Sequence, residues 1–232
     1  MSLLFRSIYE NPPLASHIQH VRITEELYDL RDSIELPFTI NTINSSDIQR
    51  FQDTVTADLS GFPQFKDLRN GIGVKGLDPL MAILLSRLNN LRTLRLHYSI
   101  AFRFHLTGIL LKHYKAHFSR MEEISVWNED GIIALESMHW NKEDIPRDFL
   151  ILPFTMPMMK TIEMILPDPD YHFPFAETVV ERLPFPEAVG VTNLRCLTTL
   201  RLLNTQVTVS TVGKILDYTP SLEIFEYNFV QE

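Results

Sequence analysis

Large apolar residues recur along this chain in one internal rhythm: apolar, two positions, apolar, two positions, apolar, one position, apolar. Leu88, Leu91, Leu94 and Leu96 give the first full copy. Phe118, Met121, Ile124 and Val126 repeat it, then Met156, Met159, Ile162 and Met164, then Leu194, Leu197, Leu200 and Leu202. Thr219, Leu222, Phe225 and Tyr227 close the series with a polar start, and Ile18, Val21 and Ile23 carry a shortened version near the N-terminus. The last two apolar positions of each copy lie two apart, so in a strand they project to one side. Their neighbours project to the other.

Helical spacing precedes several of these strands. Asp78-Pro79 reads as an N-cap followed by proline at the first helical position, with Leu80, Ile83, Leu84 and Leu88 as the apolar stripe. A second helix is predicted over 106–117, with Leu106, Ile109, Leu110, His113 and Tyr114 on one side. A third, over 210–218, turns Val212, Ile215 and Leu216 inward and stops before Pro220. A fourth covers 46–59, where Ser46 and Gln49 have capping-box spacing and Ile48, Phe51, Val55 and Leu59 form the buried side.

A strand that cannot bury its own apolar edge must stack on copies of itself. Helix, turn and short strand in repetition predict an α/β fold: an irregular leucine-rich-repeat solenoid, with short parallel strands on the concave side and helices on the convex side. The expectation is a single domain over 1–232. From Leu94 the equivalent positions follow after 30, 38, 38 and 25 residues, against a usual period of roughly 20 to 29. Insertions are therefore expected near 128–150 and 166–190. The latter is too rich in proline, from Pro167 to Pro186, for a regular helix. A third interruption, near 24–77, is either a repeat without a recognisable strand or a plain insertion. Within it Asn70-Gly-Ile-Gly-Val-Lys-Gly76 reads as a flexible loop.

Composition narrows the picture. With 45% hydrophobic and 22% charged residues the chain is an ordinary globular one, not a disordered one. A net charge of −8 argues against a nucleic-acid partner. The longest apolar runs, such as Met81 to Leu85, are far too short to cross a membrane. No basic start precedes a long apolar stretch at the N-terminus, so no secretory signal is read and an intracellular location, cytoplasmic or nuclear, is expected. The sequon at Asn44 then carries no meaning. Cys196, the one cysteine, excludes an internal disulfide and a cysteine-based zinc site.

No constellation specifies a reaction. His113 and His117 have helical metal-ligand spacing, but no zincin glutamate accompanies them, and a plain helix surface is the better reading. Asp168, Asp170 and His172 supply too few oxygens for calcium. The glycine-rich stretch lacks the Lys-Ser/Thr ending of a phosphate loop. Cys196 reads as structural, with nothing nearby to hold a thiolate. Catalytic residues, cofactors and metals are thus not expected.

Function is instead expected on the residues interleaved with the apolar pairs. These are Thr93, Arg95 and His97; Glu123, Ser125 and Trp127; Thr161, Glu163 and Ile165; Thr199, Arg201 and Leu203; and Ile224, Glu226 and Asn228. Arg95, His97, Ser125, Trp127, Glu163, Arg201 and Glu226 are the candidate protein-binding residues, because arginine and aromatic anchors contribute most to interfaces. Trp127 and Ile165 either serve as such anchors or lie under the long insertions.

Two segments carry a family likeness. Leu3 to Ile23, with a short helix, an Asn-Pro turn and a strand, resembles the opening of the leucine-rich region in F-box-type proteins of filamentous fungi. Leu80 to Leu96 resembles that family's next recurrent block, and Leu194 to Tyr227 extends the likeness. The resemblance implies a substrate-receptor role in a cullin-type ubiquitin ligase, with the ligase adaptor and cullin as partners beside an unknown protein substrate. The helical adaptor-binding module that precedes the repeats in that family has no counterpart before Pro12. A stand-alone repeat scaffold is the alternative.

Overall fold

The computed structural model describes residues 2–24, 45–72, 77–97, 101, 105–127, 152–165, 191–203 and 216–227. Its centre is an all-parallel sheet of six strands that follow one another in space as they do in sequence. They are β1 (His20–Ile23), β2 (Thr93–His97), β3 (Glu123–Trp127), β4 (Thr161–Ile165), β5 (Thr199–Leu203) and β6 (Ile224–Tyr227). The chain is therefore α/β, with each parallel pair joined by a long connection, as parallel pairing requires.

The register aligns the sequence rhythm residue for residue. Val21, Leu94, Ile124, Ile162, Leu200 and Phe225 form one row, and Ile23, Leu96, Val126, Met164, Leu202 and Tyr227 another. β1 pairs directly with β2, and among the described residues no strand lies between Ile23 and Thr93. Both sequence readings of 24–77, a repeat without a strand and a plain insertion, predict this direct pairing, and residues 25–44 and 73–76 of the segment lie outside the described residues. The expected insertions at 128–150 and 166–190 lie outside the described residues.

Why the apolar positions are three, three and two apart is visible in the backbone. The amide of Leu91 donates to the carbonyl of Leu88, Met121 to Phe118, Leu197 to Leu194 and Leu222 to Thr219, closing tight turns that keep the two side chains, apolar in all but Thr219, inward. The next residues then link the turns laterally. Arg92 and Thr93 both donate to the Gln19 carbonyl at 2.7 and 3.0 Å. Glu122 and Glu123 do so to Arg92, Lys160 and Thr161 to Glu122, Thr198 and Thr199 to Lys160, and Glu223 and Ile224 to Thr198. Each of these carbonyls satisfies two amides with its two lone pairs. The same device at every step fixes the register before any side chain is considered.

Among the described residues the longer helices are α1 (Ser2–Glu10), α2 (Ser45–Asp58), α3 (Phe65–Gly71), α4 (Leu77–Arg87) and α5 (His105–His113), and residues 216–218 are helical as well. Short 3-10 turns cover Pro12–His17, Lys115–Phe118, Leu152–Thr155 and Val191–Cys196. Their apolar sides join the inward strand rows in one buried cluster containing Leu80, Leu84, Leu88, Leu110, Phe118 and Met156. Arg6 of α1 pairs with Asp47 of α2 at 2.8 Å, Tyr9 packs edge-on against Phe51, and Arg87 pairs with Asp58.

Several local expectations change. Asp78 does not cap its own helix, since α4 begins at Leu77. Its carboxylate instead accepts the amides of Leu106 and Thr107 at 2.7 and 2.9 Å and the Thr107 hydroxyl at 2.7 Å. It thereby caps the helix of the following unit, α5, from 29 residues away. Burial raises the Asp78 pKa, and the bonds from Thr107 and Leu106 pull it back part of the way. Gln49 donates to Asp53 one turn on, at 2.9 Å, and α2 begins one residue earlier than expected, at Ser45. Phe51, Val55 and Leu59 are buried as the spacing predicts.

Asn70 and Gly71 belong to α3 rather than to a loop, because Leu68 and Ile72 anchor this turn in the core. The helix expected over 106–117 ends at His113, and a 3-10 turn carries the chain on to Phe118. His113 points outward beside the Tyr114 ring instead of inward. Leu216, expected to face in, is 46% exposed, and Tyr218 packs on the core in its place. Val212 and Ile215 lie outside the described residues.

Candidate interaction face

Turning the sheet over brings the interleaved residues onto one surface. The central row runs Arg22, Arg95, Ser125, Glu163, Arg201 and Glu226 across adjacent strands. A second row holds His20, Thr93, Glu123, Thr161, Thr199 and Ile224. Beside the central row on its other side, His97 pairs in register with Trp127, and Ile165 with Leu203. All seven candidate binding residues thus project from one side of the sheet. The side chain of Ile165 and the whole of Asn228 lie outside the described residues.

Opposite charges alternate along this face. Arg95 Nε reaches a Glu123 carboxylate oxygen at 2.6 Å, which raises the arginine pKa through that bond and the attraction behind it. The Ser125 hydroxyl donates to Glu163 at 3.3 Å. Arg201 stands between two acids, 3.9 Å from Glu163 and 3.0 Å from Glu226, although its Nε–H is not aligned for a bond. Ahead of the strands a lateral triad repeats the theme. Glu122 takes Arg92 at 3.2 Å and Lys160 at 2.9 Å, and the Lys160 bond holds its carboxyl below the usual range.

Two candidates are not exposed as expected. Ser125 is only 2% accessible because a short side chain is shaded by Arg95 and Glu163 on either side. His97 is 4% accessible, its ring edge-on to Trp127 at 6.0 Å. Above that ring lies Arg22, whose guanidinium reaches from β1 to within 4.3 Å of the Trp127 centroid. Because β2 lies between β1 and β3, the arginine side chain reaches past a whole strand to do so. Trp127 is therefore half-buried under a cation, and its indole N–H is buried without an acceptor. Sequence reasoning passed over Arg22, although its place between Val21 and Ile23 marks it for this row.

Comparison with known proteins adds nothing to this geometry. No family model matches the chain, no curated protein matches it, and no solved structure matches it.

The remaining sequence candidates fall elsewhere. His113 ends α5, whereas His117 sits in the following 3-10 turn, where burial lowers its pKa and a bond to the Ser86 backbone partly offsets this. Its ring packs on Phe118, so the two histidines do not share one helical face. Among the described residues no cluster of histidine, cysteine and acid has metal-binding geometry. Cys196 is half-buried in the turn before β5. Asp168, Asp170 and His172 lie outside the described residues. No described helix is long and apolar enough to cross a membrane.

Proposed function

We propose that this chain is a non-catalytic protein-interaction module, built as an irregular leucine-rich-repeat solenoid whose outer sheet face receives the partner. One observation carries the reading: six parallel strands in sequential order with an apolar face on one side and a mixed, largely polar face on the other. A doubly wound α/β fold reverses its strand order at a switch point, and ligands enter the crevice there. Its strands are also near-continuous apolar runs, covered on both faces. Thr-Leu-Arg-Leu-His in β2 alternates instead, and the order never reverses. Stacked units of this kind offer an extended surface in place of a crevice.

Within that reading, the likeness to F-box-type proteins favours the substrate-recognition region of a ubiquitin-ligase receptor. Its test is affinity purification from the cells that make the protein. Recovery of the ligase adaptor and a cullin supports the receptor. A partner unrelated to ubiquitination, lost when Arg95, Trp127 and Arg201 are changed together to alanine, supports a stand-alone scaffold. Partner capture that survives this triple change in a folded chain rejects the face altogether.

A further inference from the structure

The two ends of the sheet are closed differently. At the β1 end the core reaches the edge: Ile23 is 8% exposed, and Ile8 of α1 and Ala15 of the following 3-10 turn join the same buried cluster. At the β6 end the inner rows stay uncovered. Phe225 and Tyr227 are half-buried, their rings stacked at 6.1 Å, in rows whose members from β2 to β5 are at most 5% exposed. Leu216 and Ile224 at this end are 46% and 45% exposed. A stack of repeats ordinarily ends in a unit with a polar outer face. Among the described residues the β6 end has none.

The backbone is open there too. The Ile224 amide donates to the Thr198 carbonyl, and in a parallel ladder alternate residues bond to the same neighbour. Ile224 and Glu226 therefore turn their peptide groups to β5, and Phe225 turns its N–H and C=O to the far edge, where no described strand lies. Such an edge is a template for another chain unless charges guard it. Glu226 is drawn toward β5 instead, 3.0 Å from Arg201. Charge then selects what the edge can take. Residues 216–227 hold three acids, Asp217, Glu223 and Glu226, all exposed, and no base. A second copy of this chain would bring the same three acids to the same place, whereas a basic segment would meet opposite charge.

We propose that the edge of β6 takes an extended segment of a partner protein as a seventh strand, with apolar and basic residues in alternation. In strand addition of this kind main-chain bonds give the affinity and alternate side chains the specificity. β5 shows what suits β6 from its other side. Its Thr-Leu-Arg-Leu-Leu sets Leu200 and Leu202 beside Phe225 and Tyr227, and Arg201 against Glu226. The partner's segment repeats that pattern, its apolar residues covering Phe225 and Tyr227 and a lysine or arginine meeting Glu226. This edge is separate from the outer face and takes its segment whether or not that face receives a partner.

Panning a random phage-displayed peptide library on the full chain tests it. The expected winners alternate apolar residues with lysine or arginine. Glu226→Lys weakens them by about tenfold, and the same peptide with glutamate in place of its bases regains the loss. Asp67→Lys, an equal charge change on α3, leaves the winners unchanged. Amide hydrogen exchange of the unaltered chain locates the segment without any variant: saturation with the winning peptide slows the Phe225 amide by about tenfold or more. The amide spectrum also reports whether each variant is folded. Acidic or non-alternating winners overturn the claim, as does a library that yields no binder. Winners that protect other amides and leave Phe225 unchanged overturn it too, and leave the outer-face reading standing. A Phe225 amide protected in the free chain only at high concentration gives the edge to a second copy and overturns the partner.

Discussion

On the inner side of the sheet, Leu94, Ile124, Ile162 and Leu200 are all 0% exposed and differ from one another only in shape. One residue further along each strand, Arg95, Ser125, Glu163 and Arg201 range from exposed to buried and carry every kind of charge. The backbone imposes the same strand and the same lateral bonds on both sets. The inner row is uniform because each strand must bury an identical edge on its neighbour. The outer row is released from that demand, so its variety reflects the surface it presents. Alternation thus separates the residues that make the fold from those proposed to bind.

The strongest attack on this contrast is a cavity in the inner row. Ile124→Ala removes a fully buried side chain flanked by Leu94 and Ile162 and should cost about 2–5 kcal/mol in urea denaturation with an unchanged m-value. A loss below about 1 kcal/mol, the scale of an ordinary surface change, would mean the row is not a packed core.

Next comes Asp78, a polar residue working on the buried side. Asp78→Ala leaves two amides without their acceptor, while the Thr107 hydroxyl keeps the residue-78 carbonyl at 3.2 Å, so a loss of about 2 kcal/mol is expected, within the range for lost caps and unsatisfied donors. Hydrogen exchange should show the first turn of α5 opening more readily in this variant. Unchanged exchange there would refute the cross-unit cap.

The smallest effect concerns the solvent-facing charges. The folded pKa of Glu122 lies below its usual 4.5, chiefly through its bond to Lys160. Its stabilising effect is therefore complete above pH 4.5 and is lost as pH falls through the depressed folded value. The pair is substantially exposed, so the effect is on the order of a few tenths of a kcal/mol. Lys160→Gln should flatten the stability profile slightly in that window, and an unaltered profile would remove the pair from the account.

Much of the sheet was legible because its cause is local. Leu94, Ile124, Ile162, Leu200 and Phe225 align in the sequence as they do in space, since each unit solves the same burial problem with the same turn. The outer face followed from strand alternation alone. What alternation cannot give is how long side chains lean. Arg22 crosses a whole strand to cover Trp127, and His97 beside that ring is buried. Asp78 was misplaced for a related reason. A cap reads the same locally whether its oxygen serves the next turn or a helix 29 residues away. The helix containing Gly71 was hidden because a run of glycines signals a loop more strongly than two buried side chains signal a turn of helix.

The separation of the two faces is tested most directly on adjacent residues of one strand, by equilibrium urea denaturation of Ile162→Ala beside Glu163→Ala. Ile162 is wholly buried and Glu163 contacts Ser125 and Arg201 at the outer face. The expected result is a loss of about 2–5 kcal/mol for Ile162→Ala and of less than about 1 kcal/mol for Glu163→Ala. Equal losses, or a larger loss at Glu163, would contradict a sheet whose stability rests on its inner face.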